Sequence, residues 1–125
     1  MELNDLTYKI RGAIFKVHAS LGPGLLESVY EAALTYELIQ IPLTIQTQVG
    51  VPVNYNDVKL ELGFRLDILV EDRVIVEVKS VEALHVVHKK QLLTYLKLTG
   101  KKIGILVNFN VATLKDKESL IRIIN

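Results

Sequence analysis

Residues 58–79 read VKLELGFRLDILVEDRVIVEVK, and the alternation within them decides the fold. From Val58 to Val70 the apolar residues Leu60, Leu62, Phe64, Leu66 and Ile68 take even positions, while Lys59, Glu61, Arg65 and Asp67 take odd ones. Successive side chains of an extended chain point to opposite faces, so a period of two specifies a half-buried strand. The pattern resumes after Glu71-Asp72-Arg73, with Val74, Val76 and Val78 on one face and Ile75, Glu77 and Lys79 on the other. A three-residue loop at 71–73 makes the two runs an antiparallel hairpin. Its register sets Asp67 directly across from Glu77, with Lys79 one pair further along.

Opposed side chains on antiparallel strands have Cβ atoms about 5 Å apart, and like charges there repel. A positive charge between them would relieve the repulsion. Lys79 supplies one, and a hard divalent cation such as Mg2+ or Mn2+ matches oxygen ligands. The plainer alternative is a solvated sheet face carrying a Lys79 ion pair. Spacing alone leaves both open.

Working outward, Leu6, Ile10, Ala13, Ile14, Val17 and Leu21 recur at helical spacing after Asn4 and Asp5, either of which can cap a helix. That helix ends at Gly22-Pro23-Gly24, because proline disfavours a helical residue before it and glycine permits a sharp turn. A second helix runs from near Leu25 to about Leu38, with Leu26, Tyr30, Ala33 and Leu34 as its apolar positions. Leu43 to Tyr55 reads as the first strand, closed by an Asn56-Asp57 turn. Beyond the hairpin, His85 to Leu98 returns to helical spacing and stops at Gly100. Ile103 to Val107 is a continuous apolar run, as expected for a strand buried on both faces and reached by a crossover. Leu120 to Ile124 is a candidate edge strand, and the charge run Lys115 to Glu118 before it reads as a solvated loop. The order α, α, β, β, β, α, β with a last β predicts a single α/β domain over residues 1–125.

Half the residues are hydrophobic and 23% are charged, a composition that folds rather than staying disordered. No apolar run approaches the roughly 20 residues that span a bilayer. The start, MELNDLTYKI, lacks the basic and apolar segments of a signal peptide, so no membrane association and a cytoplasmic location are expected. The absence of cysteine excludes thiolate zinc sites and leaves oxygen or imidazole as metal ligands. A net charge of +1 leaves nucleic-acid binding to a local basic patch. Lys89, Lys90, Lys97, Lys101 and Lys102 offer one, as a phosphate-contacting rim or as a solvated helix face.

Asp67 in one strand and Glu77-Val78-Lys79 in the next resemble the signature of the PD-(D/E)XK nuclease superfamily, with Leu66 where its name has proline. Gly24-Leu-Leu-Glu27-Ser-Val-Tyr30 has the pattern GxxExxY. The segments GPGLLESVYEAAL, FRLDILVEDRVIVEVKSVEAL and HKKQLLTYLKLTGKKIGILVNF are similar to the GxxExxY family along nearly the whole chain. The resemblance implies a restriction-endonuclease-like αβββαβ core with a mixed central sheet and an extra N-terminal helix. It implies Mg2+ or Mn2+ as cofactor, Asp67 and Glu77 as catalytic metal ligands, and Lys79 to position the attacking water and stabilise charge on a phosphate.

Glu27 falls where the superfamily supplies a further ligand from a helix; read by itself, a first-turn glutamate complements the helix N-terminus. Tyr30, three residues on, shares its helical face. Gln91 and Tyr95 match a QxxxY element, and with Tyr30 and His88 they are candidates for binding substrate or bracing the site; by themselves a Gln and a Tyr at this spacing read as a helix-surface pair. His88 lies one turn before Gln91 and ranks above His18; His85 is a further candidate. The implied function is a metal-dependent nuclease that hydrolyses phosphodiester bonds in DNA or RNA. The alternative is a module that keeps the fold and binds nucleic acid or protein without turnover. Superfamily enzymes acting on duplexes are commonly dimeric, so a homodimer paired at Leu120 to Ile124 is a further expectation.

Overall fold

Six apolar residues at helical spacing make the first helix. α1 (Leu3–Leu21) buries Leu6, Ile10, Ala13, Ile14 and Val17. It starts before the expected caps: Glu2 holds the N-cap position, and Leu3 packs against the core from within the first turn. Gly22, at φ 66°, ends it. α2 (Glu27–Gln40) buries Tyr30, Leu34 and Leu38. Leu26, expected on its apolar stripe, is instead 73% exposed, because it precedes the helix in extended conformation.

The chain is seen here as a computed structural model, which describes all 125 residues except the side chains of Glu61 and Leu62; their expected facings lie outside the described residues. The strands are β1 (Ile45–Tyr55), β2 (Val58–Val70), β3 (Val74–Lys79), β4 (Ile103–Asn108) and β5 (Leu120–Ile124), with α3 (Val86–Thr99) between β3 and β4. They form one sheet in the order β1-β2-β3-β4-β5. Only β3 and β4 run parallel, so the sheet is mixed and α3 is the crossover. The expected αβββαβ core is present from α2 to β4, with α1 added before it and β5 as an edge strand after it. Every residue of β4 is buried, as its unbroken apolar run required. Among the described residues no helix is long and apolar enough to cross a membrane.

The β2–β3 hairpin turns through Glu71-Asp72-Arg73 and pairs Val70 with Val74, Leu69 with Ile75 and Ile68 with Val76, the register read from the sequence. One expectation fails on β2. Leu66 and Ile68 were assigned one face, yet Ile68 and Val70 pack with α1 and α2 while Leu66 packs with α3. β1 does the same: Ile45 lies against the first cluster, and Val49 and Val51 join the second. The two reversals are at one level, since Thr47 pairs with Ile68 and Val49 with Leu66. Between them stands Gln48, at φ 51°. A left-handed residue in mid-strand breaks the pleat, so positions two apart no longer share a face. The hairpin arm beyond it folds over α3, with the Phe64 ring 5.3 Å from that of Tyr95.

Candidate active site

Past Ile68 and Val76 the backbone ladder between β2 and β3 gives way to side chains. The Asp67 N–H donates to Glu77 Oε2 at 2.9 Å, and the Val78 N–H donates to Asp67 Oδ2 at 2.9 Å. Each acid thus takes an amide of the opposite strand and satisfies a donor that burial would otherwise orphan. Glu77 is 3% exposed. Burial, and then the charge of Asp67, push its carboxyl up to about 8 against the pull of the Asp67 N–H and Lys79. Burial raises Asp67 as well, opposed first by the Val78 N–H and then by Lys79. Glu77 therefore keeps its proton to a higher pH than a free glutamate, which eases the repulsion between the two neighbouring acids.

Lys79 acts on both acids through its field alone. No carboxylate lies within 4.0 Å of its ammonium among the described residues, so the ion pair of the plainer alternative is not formed. Its backbone is fixed against β4, in register with Asn108 and accepting the Phe109 N–H at 3.0 Å.

Glu27 opens α2, and its Oε2 accepts the Ser80 N–H at 3.2 Å just past the end of β3. Ser80 Oγ donates to the Leu25 carbonyl at 2.6 Å, so the helix start is clipped to the strand end twice. Tyr30 does not share Glu27's surroundings. It is fully buried, its ring stacks on Phe109 at 4.6 Å, and its hydroxyl donates to the Gly22 carbonyl and accepts the Leu25 N–H. The Tyr30 hydroxyl thus spans the glycine turn that precedes Glu27.

Glu27, Ser28, Glu31, Gln48, Asp67 and Val78 line a cleft of about 270 Å³. Glu31 and Gln48 were not anticipated. Glu31 was legible, lying one helical turn after Glu27; Gln48 was not, because nothing in its neighbours marks a left-handed strand residue. Gln48 Nε2 donates to Glu31 Oε1 at 2.8 Å. Burial raises the Glu31 carboxyl, the Gln48 bond opposes this, and Asp67 and Glu27 add to the rise. Among the described residues no group of three or more His, Cys, Asp or Glu is gathered as a metal-holding set. Asp67, Glu77 and Glu27 each accept a backbone N–H.

On α3, His88 Nδ1 accepts the His85 N–H at 2.9 Å and caps the helix start. Burial and then the charges of Lys79 and His85 lower the His88 pKa. Gln91 follows one turn later, half-buried and with no hydrogen bond among the described residues. Tyr95 is 4% exposed, so the two are not the surface pair that spacing allowed. Burial first, then the charges of Glu77 and Asp67, push its hydroxyl up to about 12. His18 lies in another layer, its Nε2 bonded to the Val111 carbonyl at 2.7 Å.

The lysines split. β4 runs parallel to β3, pairing Ile103 with Val74, so Lys101 and Lys102 precede β4 at the end of the sheet away from Lys79. Lys101 is bound there to Asp72 at 3.1 Å. Lys97 is in the last turn of α3, which returns towards the same end. Lys89 and Lys90 are exposed near the start of α3, and Lys89 lines a separate cleft with Glu82, Asn108 and Glu118.

No curated protein and no solved structure matches the chain. The family model of the PD-(D/E)XK nuclease superfamily matches residues 4–123, a span that holds the αβββαβ order, Asp67 and the Glu77-Val78-Lys79 run. The chain belongs to the PD-(D/E)XK nuclease superfamily.

Proposed function

We propose that this protein is a divalent-metal-dependent nuclease that hydrolyses phosphodiester bonds in DNA or RNA at the cleft between α2 and the ends of β2 and β3. The observation that carries the reading is the crossed pair: two acids on neighbouring strands, one nearly buried with its carboxyl pushed up to about 8, and the Lys79 ammonium two residues on. Such a pair is short of positive charge, and its oxygens suit a hard cation. Asp67 and Glu77 would hold Mg2+ or Mn2+, with Glu27 approaching from α2. Bound there, the ion supplies polarisation of a phosphoryl oxygen and acidification of water.

The chain's own groups do the rest. Lys79, with no carboxylate within 4.0 Å of its ammonium among the described residues, would direct its charge at a phosphate oxygen as negative charge develops. Gln91 would meet substrate from α3, with Tyr95 buried in the core beneath that helix. His88 and Tyr30 would brace the starts of α3 and α2. Lys89 and Lys90 meet the backbone of a bound strand.

Labelled single-stranded and duplex DNA and RNA, incubated with Mg2+, Mn2+ or chelator, test the activity. Asp67→Asn should abolish both Mn2+ binding and cleavage while leaving the metal-free protein at least as stable, since it removes a charge from an acidic pair. Lys79→Ala should stop cleavage yet keep Mn2+ binding. Equal small stability losses in both variants with unchanged metal affinity would sink the enzyme reading. The non-catalytic module is favoured by one observation, that no three ligands among the described residues are gathered for a metal. Strand binding that is equal in chelator and in Mn2+, without cleavage, would establish it instead.

Reversing both Lys89 and Lys90 to Glu should weaken strand binding at least tenfold in low salt and flatten its salt dependence, because phosphate contacts release counterions. An unchanged slope of log affinity against log salt removes these two lysines from the interface.

A further inference from the structure

We propose that Gln48 is a positioning residue of this site: its left-handed backbone turns β1 and β2 over so that Asp67 meets the cleft, and its carboxamide ties Glu31 of α2 to the sheet. The inference rests on the metal-site reading above and extends it to a residue outside the superfamily signature.

The φ of 51° is unfavourable for a residue with a Cβ, and a turn that needed only this geometry would be served better by glycine or asparagine. Strained backbone in an ordered strand persists where surrounding structure enforces it, and such positions gather at functional sites. The place of the strain is telling. Gln48 stands at the level of Asp67, between the pairs Thr47 with Ile68 and Val49 with Leu66, and there both strands change the face they bury. An unbroken pleat would keep Asp67 on the side of its odd-numbered neighbours along the whole strand.

Gln48 also stands among the three acids of the cleft, Glu27, Glu31 and Asp67. Its Nε2 donates to Glu31 Oε1 at 2.8 Å, and its amide favours the ionised form of Asp67. Its carbonyl accepts Arg65 Nη1 at 3.2 Å, which secures the arm beyond the break. A carboxamide can steer two carboxylates without bringing a charge that would compete with a cation. Bonds of this kind, one layer behind a metal, typically change affinity by 10- to 100-fold.

Two variants separate the backbone from the side chain. Gln48→Gly removes the Cβ conflict and the carboxamide together; Gln48→Ala removes the carboxamide and keeps the conflict. Thermal melts of the full chain should place Gln48→Gly level with or a few degrees above the wild type, and Gln48→Ala below Gln48→Gly. Calorimetric titration with Mn2+ should show both variants weakened by about tenfold or more. Affinity would then follow the carboxamide while stability follows the backbone, a split that a merely structural residue does not produce. If Gln48→Gly binds Mn2+ as the wild type does, the positioning role is overturned and the metal site stands. If the wild type binds no Mn2+, the metal-site reading is overturned and takes this inference with it.

Discussion

Raising the pH of the metal-free protein from about 4.5 to about 8 is expected to cost it a few kcal/mol of stability through Glu77 alone. In the unfolded chain this carboxyl ionises near 4.5; in the folded protein burial and Asp67 hold it protonated up to about 8. Between those values the folded state binds more protons than the unfolded one, so unfolding becomes easier as pH rises. The contribution is intact below the lower value and gone above the upper. Asp67, also raised by burial, tilts the curve the same way.

Glu77→Gln keeps an oxygen for the Asp67 N–H and has nothing to ionise. It should match the wild type at acid pH and exceed it by a few kcal/mol at about pH 8, with a flatter curve between. Urea unfolding in chelator across this range is the measurement. Parallel curves for the two proteins would show that Glu77 titrates normally in the fold. Millimolar Mn2+ should restore the wild type at the alkaline end, because ligands must be deprotonated to bind and an ion that binds only the folded state stabilises it; the variant should not respond.

Tyr30→Ala is expected to lose about 4 kcal/mol, the usual penalty for deleting a fully buried aromatic ring. It removes the stack on Phe109 and both backbone bonds of the hydroxyl. Tyr30→Phe keeps the ring and leaves the Gly22 carbonyl and the Leu25 N–H without their partner, for a loss of about 1–2 kcal/mol. The more informative outcome is local. With the turn released, the Leu25 amide should exchange faster with solvent and Mn2+ affinity should fall, although the hydroxyl never reaches the cleft. A phenylalanine variant with wild-type stability and wild-type exchange at Leu25 would remove the bracing role.

The site was legible to the extent that it depends on period and register. Strict alternation from Val58 onward and a three-residue turn put Asp67 opposite Glu77, and the folded hairpin keeps that register as far as the pair of Ile68 with Val76. The face assignment of Leu66 failed because alternation assumes an unbroken pleat, and the break is made by one glutamine whose backbone conformation its type does not advertise. The five lysines looked like one cluster because they are close in sequence. A parallel crossover sends the chain back across the sheet, so neighbours along α3 and its following loop end on opposite sides of it. Leu26 was misplaced because an apolar residue beside a helix start counts towards the stripe only if it lies inside the helix.

The crossing of β2 from one core to the other at Asp67 has a mechanical consequence. On the Ile68 side the strand is bolted at both edges, to β1 and β3; on the Leu66 side it is paired with β1 alone. Glu77 belongs to the bolted half. Asp67 is the joint of a lever whose long limb is the β1–β2 arm, and a load on that limb is delivered to the gap between the two acids. A strand laid across the arm and the cleft together would press on both ends of the lever, and the fit of the chain to its substrate would be felt first as a change in that gap.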